Sequence, residues 1–547
     1  MDYKELAELL FPNLQHDYQY YLDKYPERDL PKGAEVLRMA PSPTGFIHLG
    51  NLYGTLADER IAHQSGGILY LRIEDTDLKR KVEGAVETVI SCFDYFQIHF
   101  DEGAEHDPEG NYGPYYQRQR ADVYHAFAKK LVSEGKAYPC FCSEDDLANL
   151  REQQTAQGEG TGYYGKWAKC RNLSLEEIKQ HIANGDSYVI RMRSTGNSAI
   201  EHTFHDEIKG DITVHENDQD VILLKADGIP TYHFAHAIDD TLMHTTIVLR
   251  GEEWLGTLPV HLEIFKMLGF KQLKYAHTTV LMKIDETGTK RKLSKRKDPE
   301  LSLDYYRHLG YHPYAVKLYL MTLLNWNFEQ WFLKNPDTDL NEFKFSLDKM
   351  GQSGALFDLD KLNNIAKTYL SKFSLEQMKD YLKTFVKTYH SEDYDMYFAD
   401  ETKIDQILTL GMGLNLKKRR KDYAYASQIL ESIDLYYHHK MTDEFKQDSK
   451  EVKSILNDFL ISYDYNDDNN TWFEKLKTIA TDHGYQCDMK AYKENPEAYK
   501  GSIADVSEIV RIAATGRKNT PDLWTIMQIL GKDETVNRIN SVLKGIE

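Results

Sequence analysis

The chain has 547 residues, of which 41% are hydrophobic and 28% are charged, and this is typical of a soluble protein folded into several domains. It contains no run of eighteen apolar residues, and its N-terminus lacks a basic region followed by an apolar core, so we expect neither membrane insertion nor export. The formal net charge of −19 would repel a polyanion at long range, so a nucleic acid would have to bind through local basic patches.

The cysteines are few and odd in number. Five of them occur, at positions 92, 140, 142, 170 and 487. Such a set fits a reducing cytoplasm better than a disulfide framework, so we expect a cytoplasmic protein.

Residues 1–34 predict a polar, tyrosine-rich helical extension that is interrupted by Pro12, Pro26 and Pro31. Nothing in its residue pattern indicates chemistry. The chemistry of the chain is expected to begin after it.

The next stretch, VLRMAPSPTGFIHLGN, begins as an apolar strand. Pro41 and Pro43 fix φ and remove backbone donors, so neither a helix nor a strand continues through them. Gly45 permits a sharp reversal of the chain. A helical pattern then runs from Asn51, and a second strand is predicted over 68–75.

This order of strand, tight loop and helix predicts an anion site. The helix N-terminus offers unpaired backbone N–H groups and the positive end of the helix dipole, and His48 and Asn51 add polar contacts for a phosphate. The glycine spacing matches neither G-x-G-x-x-G nor G-K-[ST]. Taken alone, the stretch is equally well explained as an ordinary proline-rich loop with one exposed histidine.

The middle of the chain predicts a helix over 82–96, a surface loop over 100–117 and an amphipathic helix over 118–136, followed by strands at 188–193 and 211–214. The block after the loop interrupts an alternating strand–helix pattern, which resumes at VILLKADGIPTYHFAHAIDD.

The last half of the chain is predicted to be helical after Leu356, with helix starts at Ser374 and Thr520. Two basic runs stand out in the acidic chain. One is KRKLSKRK within a glycine-containing loop at 285–297, and the other is KKRRK at 417–421. Either run, considered alone, is by default a solvated face.

PSPTGFIHLGN together with KLSKR resembles the two signature sequences of class I aminoacyl-tRNA synthetases. HLGN stands for the His-Ile-Gly-His element and KLSKR for the Lys-Met-Ser-Lys-Ser element. PSPTG, LRIEDTD and RGEEW narrow the resemblance to the glutamyl branch. The match is strong from about Val36 to about Lys297 and weaker beyond. Asn51 and Arg296 depart from the signatures at positions where the glutamyl branch tolerates change.

The resemblance implies a fold class: an α/β Rossmann-like catalytic domain with an inserted α+β acceptor-binding domain, followed by an all-α C-terminal half. The implied order is a helical extension (1–34), the Rossmann-like catalytic domain (35–117 and 221–284), the inserted acceptor-stem-binding domain (118–220), the KLSKR loop and stem-contact domain (285–356) and the helical anticodon-binding region (357–547).

The implied activity is the ATP-dependent attachment of glutamate to tRNA-Glu through a glutamyl-adenylate. The implied partners are ATP with Mg²⁺, glutamate and tRNA, without DNA or a membrane, and a monomer is expected. Whether tRNA-Gln is also charged stays open at this point.

The resemblance also implies residue roles. Adenylate formation needs positioned groups and stabilised phosphoryl charge more than covalent help from the protein, and two arginines with one acid suit glutamate. A structural alternative is that Arg38 and Glu74 merely pair across adjacent strands. The implied sets are His48, Lys292 and Lys295 for catalysis; His48, Gly50, Asn51 and Lys295 for ATP; Arg38, Ser42, Glu74, Tyr232, Arg250 and Trp254 for glutamate; and Lys417, Lys418, Arg419 and Arg420 for tRNA.

Cys140, Cys142 and Cys170 lie in the inserted region, where some glutamyl enzymes carry a zinc site. Structural zinc needs four ligands, but Asn172 is a poor one, and His181 stands in a helical pattern at an unfamiliar distance. We therefore expect this region to fold without a metal, with Mg²⁺ entering only alongside ATP.

Other functions fit the sequence less well. A tRNA-independent adenylyl- or nucleotidyl-transferase, or a truncated tRNA-modifying relative, would not need the long helical C-terminal half. A non-catalytic tRNA-binding protein is disfavoured because His48, Lys295, Arg38 and Arg250 are intact. The PSPTG and RIEDTD forms favour glutamyl over glutaminyl specificity.

Overall fold

The computed structural model describes residues 1–43, 46–77, 82–104 and 110–546. The predicted reversal at Gly45 lies outside the described residues. The chain divides into two units, one formed by 1–307 with 316–358 and the other by 308–315 with 359–547. No helix in the described ranges is both long and apolar enough to cross a bilayer.

The strands all lie in the first unit. They are β1 (Val36–Met39), β2 (Ile68–Leu71), β3 (Glu102–Gly103), β4 (Ala137–Cys140), β5 (Val189–Met192), β6 (Glu201–Asp206), β7 (Gly210–His215), β8 (Ile222–Leu224), β9 (Ile247–Gly251), β10 (Lys274–Thr278), β11 (Leu281–Ile284), β12 (Lys290–Lys292) and β13 (Ala355–Leu356).

The helices up to the second unit are α1 (Tyr3–Leu10), α2 (Tyr18–Lys24), α3 (Leu49–Gln64), α4 (Ala85–Tyr95), α5 (Ala121–Ser133), α6 (Glu144–Ala156), α7 (Leu175–Ala183), α8 (Tyr232–Leu242), α9 (Leu258–Leu268), α10 (Leu303–Leu309), α11 (Pro313–Leu324) and α12 (Phe328–Lys334). Those that follow are α13 (Leu359–Leu370), α14 (Leu375–Tyr389), α15 (Tyr394–Phe398), α16 (Glu401–Met412), α17 (Ala426–Asp434), α18 (Ser449–Ser462), α19 (Asn469–Asp482), α20 (Met489–Glu494), α21 (Ile503–Thr515), α22 (Leu523–Leu530) and α23 (Lys532–Gly545).

Parallel strands form the centre of the first unit. β1 pairs with β2, and β2 pairs with β3, while β9 pairs with β10. The backbone N–H of Thr246 donates to the carbonyl of Val36 at 2.9 Å, so β9 begins beside β1. β1, β2 and β9 are short, mostly apolar runs, as expected for parallel strands covered on both faces. The α/β expectation for this unit is confirmed.

Antiparallel elements accompany these strands, and the β11–β12 hairpin is one of them. β4, β5 and β8 form a separate three-stranded sheet. β6 and β7 form a hairpin that joins β10 through the pairing of Tyr275 with Asp206. The hairpin falls within the predicted insertion, yet it is hydrogen-bonded to the strand next to β9.

Helix α3 begins two residues earlier than its sequence pattern predicts. His48 is its N-cap: its imidazole Nδ1 accepts from the backbone N–H of Asn51 at 3.3 Å, and the Asn51 side chain accepts from the backbone N–H of His48 at 3.0 Å. This reciprocal pair is a capping box built with a histidine. A pattern of apolar periodicity does not detect such a cap.

The N-terminal extension is helical, as predicted, and it packs against the rest of the first unit. Tyr25 is buried and donates its hydroxyl proton to the carbonyl of Gly113 at 3.0 Å. Arg28 donates to the carbonyl of Met243 at 2.9 Å and lies 3.8 Å from the ring centroid of Tyr112. The extension is therefore part of the folded unit.

The second unit is helical throughout its described residues, which confirms the all-α expectation. Ser374 caps α14 with a capping box to Gln377, as its sequence predicts. The predicted start at Thr520 is wrong, because the cap of α22 is Asp522, whose carboxylate accepts from the backbone N–H of Thr525 at 2.8 Å. The hydroxyl of Thr520 instead accepts from Arg511 Nη1 at 2.6 Å.

Candidate active site

A cleft of about 520 Å³ lies in the first unit at the carboxyl ends of β1 and β9. This is where ligands bind in open parallel α/β sheets. The structure brings into it every residue for which the sequence predicted a catalytic, ATP or glutamate role, namely Arg38, Ser42, His48, Gly50, Asn51, Glu74, Tyr232, Arg250, Trp254, Lys292 and Lys295.

His48 stands at the N-terminus of α3 and faces this cleft. Burial, with help from the Lys295 and Lys292 cations, lowers the pKa of its imidazole to about 4, so the ring is neutral at physiological pH. Because Nδ1 accepts the Asn51 N–H, the ring proton resides on Nε2. His48 can therefore donate a hydrogen bond from Nε2. A Cβ at Gly50 would approach the ring to 3.0 Å, so glycine leaves room for it.

Lys295 is placed by a loop that follows the β11–β12 hairpin. The carboxylate of Asp298 closes this loop by accepting from Arg291 Nη1 at 2.6 Å and from the backbone N–H of Ser294 at 2.8 Å. The Arg291 hydrogen bond lowers the pKa of Asp298 to about 2. Lys295 is exposed, and its Nζ lies 3.8 Å from the ring centroid of Phe46. The cation therefore lies beside the β1–α3 loop, and no carboxylate in the described part of the chain forms an ion pair with it.

Arg38 and Glu74 do not pair with each other, so the structural alternative is wrong. Arg38 Nε donates to Asp240 at 3.2 Å, and Glu74 accepts from Arg72 Nη2 at 3.2 Å. Burial raises the pKa of Glu74 to about 7, against the opposing effect of Arg72. Arg38 and Glu74 nevertheless both face the cleft, with Tyr232 beside them.

The far wall of the cleft is aromatic. Tyr232 begins α8, and its ring centroid lies 4.5 Å from that of Trp254, in the turn that follows β9. Arg250, in the same strand end, is buried. Ser42 also lines the cleft and is exposed in the loop after β1.

Sequence reasoning missed Asp58, which also lines the cleft and is 2% exposed. Burial raises its pKa well above the ordinary value, with Arg38 opposing. Its Oδ1 has no hydrogen-bond partner among the described residues. A signal was available, because Asn51, Thr55 and Asp58 recur at helical spacing on one face of α3.

The predicted tRNA-binding residues lie in the second unit, between α16 and α17. Lys417, Lys418 and Arg419 are exposed, and Arg420 is half-buried. Arg419 Nη1 donates to the carbonyl of Phe373 at 2.6 Å. The two lysines are thus the members of this run whose charges are most available to a partner.

Outside the cleft, the structure brings Cys140, Cys142 and Cys170 together, with their sulfur atoms all within 4.8 Å of one another. The hydroxyl of Tyr163 lies 3.3 Å from the sulfurs of both Cys140 and Cys142. Hydrogen bonds from Cys142 and Cys170 lower the pKa of the Cys140 thiol. Sequence spacing did not identify Tyr163 as a fourth ligand.

These four side chains fit a tetrahedral zinc site. Zn–S bonds of about 2.3 Å place two sulfur ligands about 3.8 Å apart, and the sulfurs of Cys142 and Cys170 are 3.6 Å apart. The Arg191 guanidinium lies 4.1 Å from the centroid of the Tyr163 ring. Burial raises the pKa of the Tyr163 hydroxyl, so a metal ion would have to displace its proton. The expectation of no metal depended on the lack of a fourth ligand. Tyr163 lies where that fourth ligand is needed.

The sequence was compared with known protein families. It matches the family described as tRNA synthetases class I (E and Q), catalytic domain, over residues 36–383, and the anticodon binding domain family over residues 374–543. Among curated proteins, it is 53% identical to the glutamate--tRNA ligase of Acetivibrio thermocellus, over 99% of this chain and 100% of that protein. It is 48% identical to the glutamate--tRNA ligase of Clostridium perfringens strain 13, over 98% and 100%.

Solved structures agree with these matches. A glutamate-tRNA synthetase from Elizabethkingia anophelis has a TM-score of 0.71 at 26% identity, covering 93% of this chain and 100% of that one. A glutamate tRNA ligase from Elizabethkingia meningosepticum, in complex with its amino acid, has a TM-score of 0.71 at 25% identity, covering 94% and 100%.

We expect the protein, purified without chelator, to contain about one zinc per chain, because three thiols and a phenol converge. Cys170→Ser and Tyr163→Phe should lower both the zinc content and the melting temperature. Cys487→Ser, which alters a thiol in the second unit, is the matched control and should change neither. Elemental analysis with thermal denaturation checks this, and a zinc-free wild-type protein would show that the cluster serves packing alone.

Proposed function

Because this chain belongs to the class I tRNA synthetases of the glutamate and glutamine branch, we propose that its cleft joins glutamate to ATP and passes the glutamyl group to tRNA. The enzyme is a glutamate--tRNA ligase: glutamate, ATP and tRNA give glutamyl-tRNA, AMP and diphosphate. The observation that carries the residue-level proposal is the convergence of Arg38, Glu74, Arg250, His48 and Lys295 on one cleft.

In the first step the glutamate carboxylate attacks the α-phosphorus of ATP, and diphosphate leaves. Negative charge grows on the phosphoryl oxygens, so the protein must supply fixed donors and cations. The N-terminus of α3 offers the positive end of its dipole. Neutral His48 donates from Nε2 to a phosphate oxygen, with Gly50 and Asn51 shaping this end of the cleft, while Lys295, assisted by Lys292, neutralises the transition state.

Glutamate is held at the other end of the cleft. Arg38 and Arg250 bind its two carboxylates, and Glu74 accepts from its ammonium group, which would lower the pKa of Glu74 from about 7 and keep it ionised. Ser42, Tyr232 and Trp254 complete the pocket.

The tRNA is bound by the region inserted between the two catalytic segments and by the regions that follow them in sequence. Residues 118–220 hold the acceptor end, 285–356 contact the stem, and the helical region from 357 onward reads the anticodon.

The substrate is tRNA-Glu; aminoacylation assays with purified tRNA-Glu and tRNA-Gln decide whether tRNA-Gln is also charged. Mg²⁺ bound to ATP would neutralise part of the triphosphate charge. The enzyme works as a cytoplasmic monomer.

Lys295→Ala should lower the rate of tRNA glutamylation about a hundredfold, because loss of one preorganised charge contact costs about 3 kcal/mol. The fold and tRNA binding should persist, since Lys295 is exposed and forms no ion pair among the described residues. Lys297→Ala, in the same loop and outside the cleft, is the control. Near-normal aminoacylation by Lys295→Ala would remove the catalytic assignment.

Arg250→Leu should raise the KM for glutamate tenfold or more, because a hydrogen bond to a charged group contributes roughly 1.5–3 kcal/mol. Arg38→Leu should do the same, but it also leaves Asp240 short of a partner, so circular dichroism must accompany it. Arg151→Leu, on the surface of α6, is the control. Wild-type KM and kcat in both pocket variants would refute this glutamate pocket.

Replacing Lys417 and Lys418 together by glutamate should weaken tRNA binding and reduce its salt dependence, because phosphate contacts release counterions. Arg419 is left unchanged because its guanidinium donates a hydrogen bond to the Phe373 carbonyl. Lys450→Glu, an exposed change on α18, is the control. If affinity and salt slope match those of the control, the run is a solvated face.

A further inference from the structure

Arg250 is held in an unusual way for a buried arginine. Its Nε donates to Nε2 of His277 at 3.0 Å, and its Nη1 donates to Nδ1 of His261 at 2.9 Å. The residue is 8% exposed. Within the described part of the chain, no carboxylate forms an ion pair with it.

Three other buried arginines of the first unit are held by carboxylates. Arg38 and Arg72 both donate to Asp240, and Arg120 donates to Asp239 at 2.7 Å. Their charges are therefore compensated inside the protein. Arg250 is oriented by nitrogen acceptors that carry no charge.

The ring protons of both histidines follow from their other partners. Nδ1 of His277 lies 2.6 Å from Oδ2 of Asp206, so that nitrogen carries the proton, and Nε2 is left to accept from Arg250. His261 accepts at Nδ1, so its Nε2 donates to Nδ1 of His233 at 2.9 Å. Each ring can accept from Arg250 only while it is neutral.

The surroundings keep both rings neutral. Burial lowers the pKa of His261 well below its ordinary value, with His236, Arg250 and His233 adding to the effect and Asp240 opposing it.

Burial likewise lowers the pKa of His277, with Arg250 and Lys209 acting in the same direction and Asp206 opposing. The carboxylate of Asp206 is itself occupied by the backbone N–H groups of Ile208 at 3.0 Å and Lys209 at 2.9 Å.

We propose that His261 and His277 are positioning residues that fix the guanidinium of Arg250 while leaving its positive charge uncompensated for a carboxylate of the bound glutamate. The inference rests on the proposed function, in which Arg250 binds substrate. Nη1 of Arg250 donates one proton to His261, and Nη2 donates one to the Trp254 carbonyl at 3.5 Å. Each of these two nitrogens carries a second proton that these contacts do not use. These protons form a fork that matches a carboxylate.

The test separates hydrogen bonding from charge at one position. In His261→Asn and His261→Asp the side-chain oxygen takes the place of Nδ1, and the two variants differ chiefly in charge. His261→Asn should keep the KM for glutamate within about threefold of wild type. His261→Asp should raise it about tenfold or more, because the new carboxylate competes with the substrate for Arg250. For both variants kcat should change far less than KM.

His277→Gln and His277→Glu form a second matched pair, in which the terminal oxygen replaces Nε2. The pair repeats the test if an aspartate at 261 prevents folding, as judged by circular dichroism. Steady-state KM and kcat for glutamate, with calorimetric titration of glutamate, are the measurements.

The inference is wrong if the charged and neutral members of each pair have equal KM values for glutamate. It is also wrong if the Asn and Gln variants raise KM as much as the Asp and Glu variants do. The glutamate pocket itself is tested by a different variant. If Arg250→Leu leaves the KM for glutamate unchanged, the proposed pocket is wrong. A raised KM in Arg250→Leu without a difference inside the pairs refutes only the role of the neutral histidines.

Discussion

The first unit depends on the two adjacent buried carboxylates of α8, Asp239 and Asp240. Arg38 from β1, Arg72 from the end of β2 and Arg120 from the turn before α5 all donate to them, and each of these side chains is nearly or fully buried. Removing one member of such a network costs about 3–5 kcal/mol, because the remaining charges lose their partner in a dry interior. The network therefore allows one arrangement of these elements around the cleft.

The same network divides the electrostatic roles within the cleft. Arg38 faces the cleft with its charge already shared with Asp240, whereas Arg250 is hydrogen-bonded to neutral imidazole rings. Burial raises the pKa of Glu74 to about 7, and His48 is neutral, so His48 adds no further positive charge to the cleft. The cleft thus offers cations to carboxylates and phosphates without placing several uncompensated cations against one another.

The residues that sequence motifs identified in the cleft were predictable because each lies in a short local pattern. Each motif consists of a few consecutive residues, and the five motifs are PSPTG, HLGN, LRIEDTD, RGEEW and KLSKR. Residues whose role depends on partners far along the chain left no such pattern. Tyr163 among the three cysteines, and His261 and His277 around Arg250, belong to this second group.

The sequence by itself determined the class of the protein, the α/β and all-helical parts and the motifs of the cleft, because periodicity, caps and signature spacing are properties of neighbouring residues. It also determined the Ser374 cap, whose partner is three residues away. Only the tertiary structure decided that Arg38 pairs with Asp240 instead of Glu74, and that the β6–β7 hairpin joins β10. The physical reason is that burial and long-range pairing set the charge, the tautomer and the partner of a side chain, and both appear only when distant segments fold against each other.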